Sequence, residues 1–321
     1  MKDRIVLAYA GGVETAAAIP SLAEEYGAEV VTLTLDLGQG RDLEEIRDRA
    51  LAAGAARAHV LDVREEFARD VVLPALQAGA LDEANPPMAA ALAWPIIAKK
   101  LLEIASIEQA TAIAHGCLGV DRDAMDGSVR ALNADIRVVA ARAAAPPYST
   151  HANLCGRFHA VTKPAPEPPD MPAYVVISFE RGVPTAINGV PMALTELIES
   201  LSIIAGQHGV GRMALAERDV AGVPVRHVYE APAALVLHTA HAALEASVVP
   251  REVMRLKAGR ASDYAHLVRH GRWFTVPREA MDALNAGVQE SVTGSVRIKL
   301  FKGALLTSEA AELDHVAVPR T

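Results

Sequence analysis

Cysteine is nearly absent: Cys117 and Cys155 are the only two in 321 residues. That excludes a disulfide framework and fits a reducing, cytoplasmic setting. Aromatic residues are few, 4% of the chain. Nowhere does an apolar stretch run uninterrupted for the ~20 residues a membrane span needs, so no membrane partner is expected. The start, Met1-Lys2-Asp3-Arg4, passes into an apolar run too short for a secretory signal. Dense basic runs are missing and the formal net charge is -8, which speaks against a nucleic-acid partner. Internal repeats are missing too. What is present is an ordered, alanine-rich composition, 51% apolar, long enough for two domains with separate cores.

Short apolar runs alternate with helical patterns through the first half. Strands are expected at Arg4–Tyr9, Val30–Leu35, Ala58–Leu61, Thr111–Ala114 and Ile136–Ala140, with helices at Thr15–Tyr26, Phe67–Leu76 and Ala89–Ala105. Such alternation predicts a parallel, doubly wound sheet. Ligands bind such sheets beyond the carboxyl ends of the strands, where Gly11-Gly12, Gly38-Gln39-Gly40 and His115-Gly116-Cys117 all fall. From Arg142 the chain becomes proline-rich and loses its period, as a linker does. Beyond it, VVISFERGVPTAINGVPM reads as a hairpin with Asn188-Gly189 as a turn, followed by a helix at Thr195–Ala205 and a last strand at Ser295–Phe301. The second half is α+β.

A strand that feeds Gly11-Gly12 and then a helix gathers backbone N–H groups and the positive end of the helix dipole around an anion. An ordinary tight turn before a helix has the same local sequence. The rest of the chain bears on that choice. LAYAGGVETA, LTLDLGQGRDLEEIRDRAL, VREEFARDVVLPAL, ALAWPIIAKKLLEIA, AIAHGCLG and ALNADIRVVA, in this order, resemble the nucleotide-binding domain of the argininosuccinate synthase family. VVISFERGVPTAINGVPM, LIESLSIIAGQHGVGRMAL, VYEAPAALVL and VQESVTGSVRIKLFKG resemble its synthetase domain.

The resemblance implies an α/β protein: a HUP-type, Rossmann-like parallel-sheet domain at 1–142, a shortened linker at 143–175, an α+β synthetase-like domain at 176–303 and a tail at 304–321. It implies ATP and Mg²⁺ as cofactors, small-molecule acceptor and amine substrates, and a homodimer. In that family ATP adenylates the ureido oxygen of citrulline with loss of pyrophosphate, and the aspartate amine then displaces AMP. The implied ATP-binding set is Ala10, Gly11, Gly12, Glu14, Thr15, Ala16, Asp36, Gly38, Gln39, His115 and Gly116. The implied substrate-binding set is Asp123, Ser149, Glu217 and Tyr229. No catalytic side chain is singled out and no protein-held metal is expected.

The chain also departs from the family pattern. Where the family's pyrophosphate loop has serines and an aspartate, this chain has Ala10, Ala16 and Glu14. Two charge-assisted hydrogen bonds lost there cost on the order of 3–6 kcal/mol if nothing replaces them. The threonine and asparagine that grip aspartate are Leu118 and Arg122, and the arginine that meets citrulline is Asp126, a charge reversal; a nearby deletion of about two residues leaves the register after Asp123 open, with Arg130 as the lesser alternative. The family's citrulline tyrosine, threonine and arginine give way to Pro86, Ala90 and Trp94, and Phe158 and Ala160 replace a later substrate element.

Three other clusters merit reading. His151, Cys155 and His159 share a four-residue spacing and, with Cys117, have the donor types of a zinc site, although the family is irregular there. His238 and His241 fit a helix face, and Asp62, Glu65 and Glu66 fit a solvated helix start. Three functions are therefore expected in order: an ATP-dependent carbon–nitrogen ligase with a more apolar acceptor in specialised biosynthesis, a non-catalytic paralogue acting as a binding or structural protein, and argininosuccinate synthesis itself.

Overall fold

The computed structural model describes residues 3–38, 42–80, 89–117, 119–141, 169–218 and 224–307. In the first half, strands β1 (Arg4–Ala8), β2 (Glu29–Asp36), β3 (Arg57–Asp62), β4 (Ala112–His115) and β5 (Arg137–Ala140) form a parallel sheet in the order β3-β2-β1-β4-β5. Helices α1 (Val13–Tyr26), α2 (Leu43–Ala52), α5 (Ala89–Ile107) and α6 (Gly119–Leu132) connect them. Between β3 and α5 lies one helical stretch, α3 (Arg64–Phe67), a π turn (Ala68–Val72) and α4 (Leu73–Gln77). The apolar runs are continuous because both sheet faces are covered. Ile5 and Leu7 pack with Ile19, Leu22 and Ile46 on one face, and Val6 packs with Ile97, Leu101 and Met125 on the other. Each expected element of this half is present, with ends shifted by one to three residues.

The second half is built on an antiparallel sheet of β6 (Ala173–Glu180), β7 (Val183–Ile187), β8 (Val190–Pro191), β11 (Gly294–Phe301) and β12 (Ala304–Thr307), ordered β12-β11-β6-β7-β8. Helices α7 (Leu194–Gln207) and α8 (Pro232–Val248) pack their apolar faces on it: Leu197, Leu201, Val236 and Leu244 meet Val175, Ile177, Ile298 and Leu300. β9 (Arg212–Arg218) and β10 (Pro224–Glu230) form a separate two-stranded ribbon. Helices α9 (Arg251–Arg269) and α10 (Val276–Gln289) reach back to the first half, where Tyr264, Ala265, Val268 and Trp273 join the core under α5 and α6.

Two boundaries and one turn differ from the sequence reading. The sheet begins at Ala173, inside the segment assigned to the linker. It ends at Thr307, inside the segment assigned to the tail, because Lys302-Gly303 turns with φ of 45° and 82° and returns the chain as β12 along β11. Asn188-Gly189 does turn the chain, with φ of 51° and 78°, but it joins β7 to β8; the preceding hairpin turns at Arg181-Gly182. Both pairs adopt the left-handed conformations that match the twist of a two-residue hairpin. Residues 142–168, with Ser149 and the His151, Cys155 and His159 trio, lie outside the described residues.

Candidate active site

In this sheet the strand order reverses direction at β1, which has β2 on one side and β4 on the other. A crevice opens beyond the carboxyl ends at such a switch point. The turns that leave β1 and β4 border it, since Leu7 is paired with Ala114.

The first turn is shaped by Gly11 at φ 78°. A Cβ there would lie 2.7 Å from Ile46 Cγ1, so conformation and space both require glycine. Arg49 of α2 donates a short hydrogen bond to the Gly11 carbonyl. With a trans peptide, that turns the Gly12 N–H the opposite way. Gly12 is the N-cap of α1, and among the described residues no side chain caps the helix. The leading N–H groups of α1 are thus presented as a backbone nest with the dipole behind them. Thr15 is buried, and its hydroxyl donates to the Gly12 carbonyl at 3.0 Å. That bond braces the turn and leaves the oxygen's lone pairs, which cannot bind a phosphate oxygen unless the hydroxyl rotates. Ala10 is buried at the rim, and Ala16 lies partly exposed in the first turn of α1, which also includes Glu14.

At the end of β2, Asp36 is committed locally. Its Oδ1 accepts the Gly38 N–H at 2.9 Å and its Oδ2 faces Arg64 Nε at 3.5 Å. Gly38 holds φ at 90°, and Gln39 lies outside the described residues. Arg64 also grips Asp62 at 2.8 Å and reaches Glu199 of α7 at 3.1 Å, a link between the two halves that sequence spacing gives no sign of. This fork holds the Asp62 carboxyl below its usual range.

The third turn follows β4. His115 is 2% exposed, and its Nε2 lies 2.8 Å from Asp126 Oδ1 of α6. The Cys117 N–H points at its Nδ1 at 3.4 Å, so the backbone of Gly116 is bracketed by the ring and its own neighbour. Burial pushes the imidazole below the ordinary histidine range, and Arg122 acts in the same direction against the Asp126 carboxylate. Asp126 also faces Arg130 at 3.5 Å and is 13% exposed. The residue read as a charge reversal facing an acceptor is therefore a partly buried partner of His115. Among the described residues, the sequence reading missed the roles of Arg49, Arg64 and Asp126, which depend on how helices sit on the sheet.

The substrate set is only partly assembled. Asp123 is exposed on α6. The ribbon register pairs Glu217 with Val225 and Tyr229 with Met213, which puts their positions on one face about 13 Å apart along the strands. Trp94 is 3% exposed with its indole N–H unpartnered among the described residues. The other clusters follow the structural reading. His238 and His241 lie on α8, where His241 Nε2 meets Gln289 Oε1 at 2.8 Å. Asp62 and Glu66 are held by Arg64, Lys99 and Lys100 at the start of α3. No group of three or more His, Cys, Asp or Glu residues suited to a metal occurs among the described residues. Nor is any described helix long and apolar enough to cross a membrane.

A five-stranded parallel sheet with a glycine nest at its switch point, joined to a second domain with an antiparallel sheet, defines a HUP-type nucleotide-binding protein. Comparison narrows the class. Residues 4–148 match the arginosuccinate synthase N-terminal HUP domain, and residues 151–311 match the arginosuccinate synthase C-terminal domain. The argininosuccinate synthase of Acaryochloris marina is 41% identical over 344 residues, covering 94% of this chain and 86% of that protein. That of Symbiobacterium thermophilum is 41% identical over 347 residues with the same coverage, and that of Gloeobacter violaceus 40% over 343. The chain belongs to the argininosuccinate synthase family. A solved NAD+ synthetase from Burkholderia pseudomallei overlaps at a TM-score of 0.25 and 19% identity, covering 38% of this chain and 56% of its own, too little to bear on function. The relatives carry the plain family name, so the comparisons favour argininosuccinate synthesis over the expected specialised paralogue.

Proposed function

We propose that this chain is an ATP-dependent carbon–nitrogen ligase of the argininosuccinate synthase type, with citrulline and aspartate as the first substrates to test. The observation that carries the reading is the backbone nest at Gly11-Gly12, uncapped by any side chain among the described residues and set where the strand order reverses. Backbone N–H groups hold phosphate without hydroxyls, so the nest survives the change of the flanking serines to Ala10 and Ala16. Gly11, Gly12 and the first turn of α1 would hold the phosphates, and the Gly38 and Gly116 turns would border the rest of the nucleotide. Mg²⁺, which favours phosphate oxygens and retained water, would be carried by the nucleotide rather than by a protein cage. The chemistry is then two displacements. An acceptor oxygen attacks the α-phosphorus and pyrophosphate leaves; an amine attacks the activated carbon and AMP leaves. The protein's share is orientation and charge stabilisation. A homodimer and a cytoplasmic setting belong to the same proposal.

A second reading, the same ligase chemistry on a less polar acceptor, is favoured by the buried Trp94 in the place of a polar family residue. Pyrophosphate exchange into ATP, measured with citrulline and then with a panel of ureido and carboxylate acceptors, separates the two. Exchange with citrulline, and argininosuccinate on adding aspartate, establishes the first. Exchange with another acceptor alone establishes the second. A folded protein that binds no ATP by calorimetry overturns both and leaves a non-catalytic member of the family.

A further inference from the structure

The last residue of β4 carries a polar ring that is almost wholly buried and finds its partners inside the protein. His115 has two, one on each nitrogen: Asp126 Oδ1 at 2.8 Å from Nε2, and the Cys117 N–H at 3.4 Å from Nδ1. An ionised carboxylate can only accept a hydrogen bond, and a backbone amide can only donate one. One form of the ring satisfies both, the neutral imidazole with its proton on Nε2 and its Nδ1 bare. The other tautomer sets N–H against N–H at Cys117 and turns a lone pair towards a carboxylate oxygen. The imidazolium keeps Asp126 and loses Cys117.

We infer that Asp126 is a positioning residue that fixes His115 in the Nε2–H form, so that Nδ1 holds the Cys117 amide and sets the Gly116-Cys117 backbone at the rim of the nucleotide crevice. Burial of the ring favours its neutral form, in keeping with this assignment. α6 delivers Asp126 because its other face is fixed. Met125 and Val129 are fully buried, and Ser128 donates to the Ala124 carbonyl at 3.0 Å and the Gly271 carbonyl at 3.4 Å. Arg130 takes the second carboxylate oxygen, Oδ2, which leaves Oδ1 to the ring. The turn matters for ligand binding because β4 neighbours β1, so the Gly116-Cys117 and Gly11-Gly12 backbones flank one crevice. The link to nucleotide rests on the function proposed above; the tautomer and the amide contact do not.

The test uses the full chain labelled with ¹⁵N-histidine, with the His115 signals identified by their loss in His115→Gln. Long-range ¹H–¹⁵N correlation reports the tautomer, amide hydrogen exchange reports the Cys117 bond, and calorimetry with MgATP reports the crevice. In the wild type the expected result is the Nε2–H tautomer at neutral pH with a protected Cys117 amide. Asp126→Asn keeps the shape but can donate as well as accept. Both tautomers should then appear, Cys117 exchange should quicken about tenfold, and MgATP affinity should fall roughly three- to tenfold. Asp126→Glu, which restores an acceptor-only group, should recover most of all three. A wild-type Nδ1–H ring or imidazolium, or unchanged Cys117 exchange in Asp126→Asn, overturns the assignment. Faster exchange with unchanged MgATP affinity removes the link to the crevice. A wild type that shows the expected tautomer and protection but binds no MgATP upholds the dyad and instead defeats the proposed function.

Discussion

Replacing Lys257 with methionine should destabilise the second half more than most substitutions of similar volume can. Lys257 is 3% exposed on α9, and its ammonium pairs closely with Glu245 of α8, also 3% exposed. Glu245 accepts further from Gln289 Nε2 at 2.7 Å, and Gln289 Oε1 faces His241 Nε2 at 2.8 Å. The network ties α8, α9 and α10 together beneath the β6–β7 turn, where a Cβ on Gly182 would lie 1.9 Å from Gln289 Oε1. Burial already pushes the Lys257 ammonium below its usual range, a sign that little water reaches it. Methionine preserves the apolar stem and removes only the cation. The Glu245 carboxylate is then left buried without its counter-charge, a loss of about 3–5 kcal/mol. With a slope of ~3 kcal/mol per molar, the urea midpoint moves down by about 1 M or more. The double change Lys257→Met with Glu245→Gln removes both charges and keeps an acceptor for Gln289. It should recover at least ~2 kcal/mol of the loss. Urea unfolding followed by far-ultraviolet circular dichroism measures both variants. A single variant that costs less than ~1 kcal/mol, or a double variant no better than the single, would refute the reasoning that an uncompensated charge dominates.

Gly12→Asp should separate stability from binding. At φ -74° the N-cap position accepts a side chain, and a carboxylate there caps α1, so the melting temperature should hold or rise slightly. The same carboxylate occupies the phosphate seat, and calorimetry should find MgATP binding abolished; retained binding refutes the nest. Gly271→Ala should unfold the contact between the halves, because φ is 64° and the new Cβ would lie 1.9 Å from the Ala124 carbonyl oxygen. A loss of roughly 3 kcal/mol or more is expected in urea unfolding, and a loss under ~1 kcal/mol would contradict the packing described. Acidification should weaken the fold through histidines held neutral. Burial pushes His238 down to about 4 and lowers His241 and His115 as well, against an unfolded value of about 6.5. The unfolded chain therefore binds more protons between those values. Stability is fully present above pH ~6.5 and is lost as the pH falls towards 4, by on the order of 2–3 kcal/mol from His238. Unfolding midpoints at pH 7 and 5 test this, and an equal slope in His238→Asn would remove His238 as a cause.

The sequence alone determined the layered first domain and the glycine turns at the carboxyl ends of its strands. The run Ile5–Leu7 is apolar on both alternating sets of positions, which only a strand covered on both faces uses, and Gly11-Gly12 needs no distant partner to form a turn. Element type follows from local period, and local period is written in the chain. Side-chain partnership is not. Whether Asp126 faced an acceptor or His115 depended on the rotation of α6, which Gly271, from the other half of the chain, helps to fix. Arg64 found Glu199 across 135 residues, Lys257 found Glu245 between two helices, and β12 formed because β11 offered it an edge. These contacts are decided by the distance and angle between packed elements, quantities that no spacing within one segment contains.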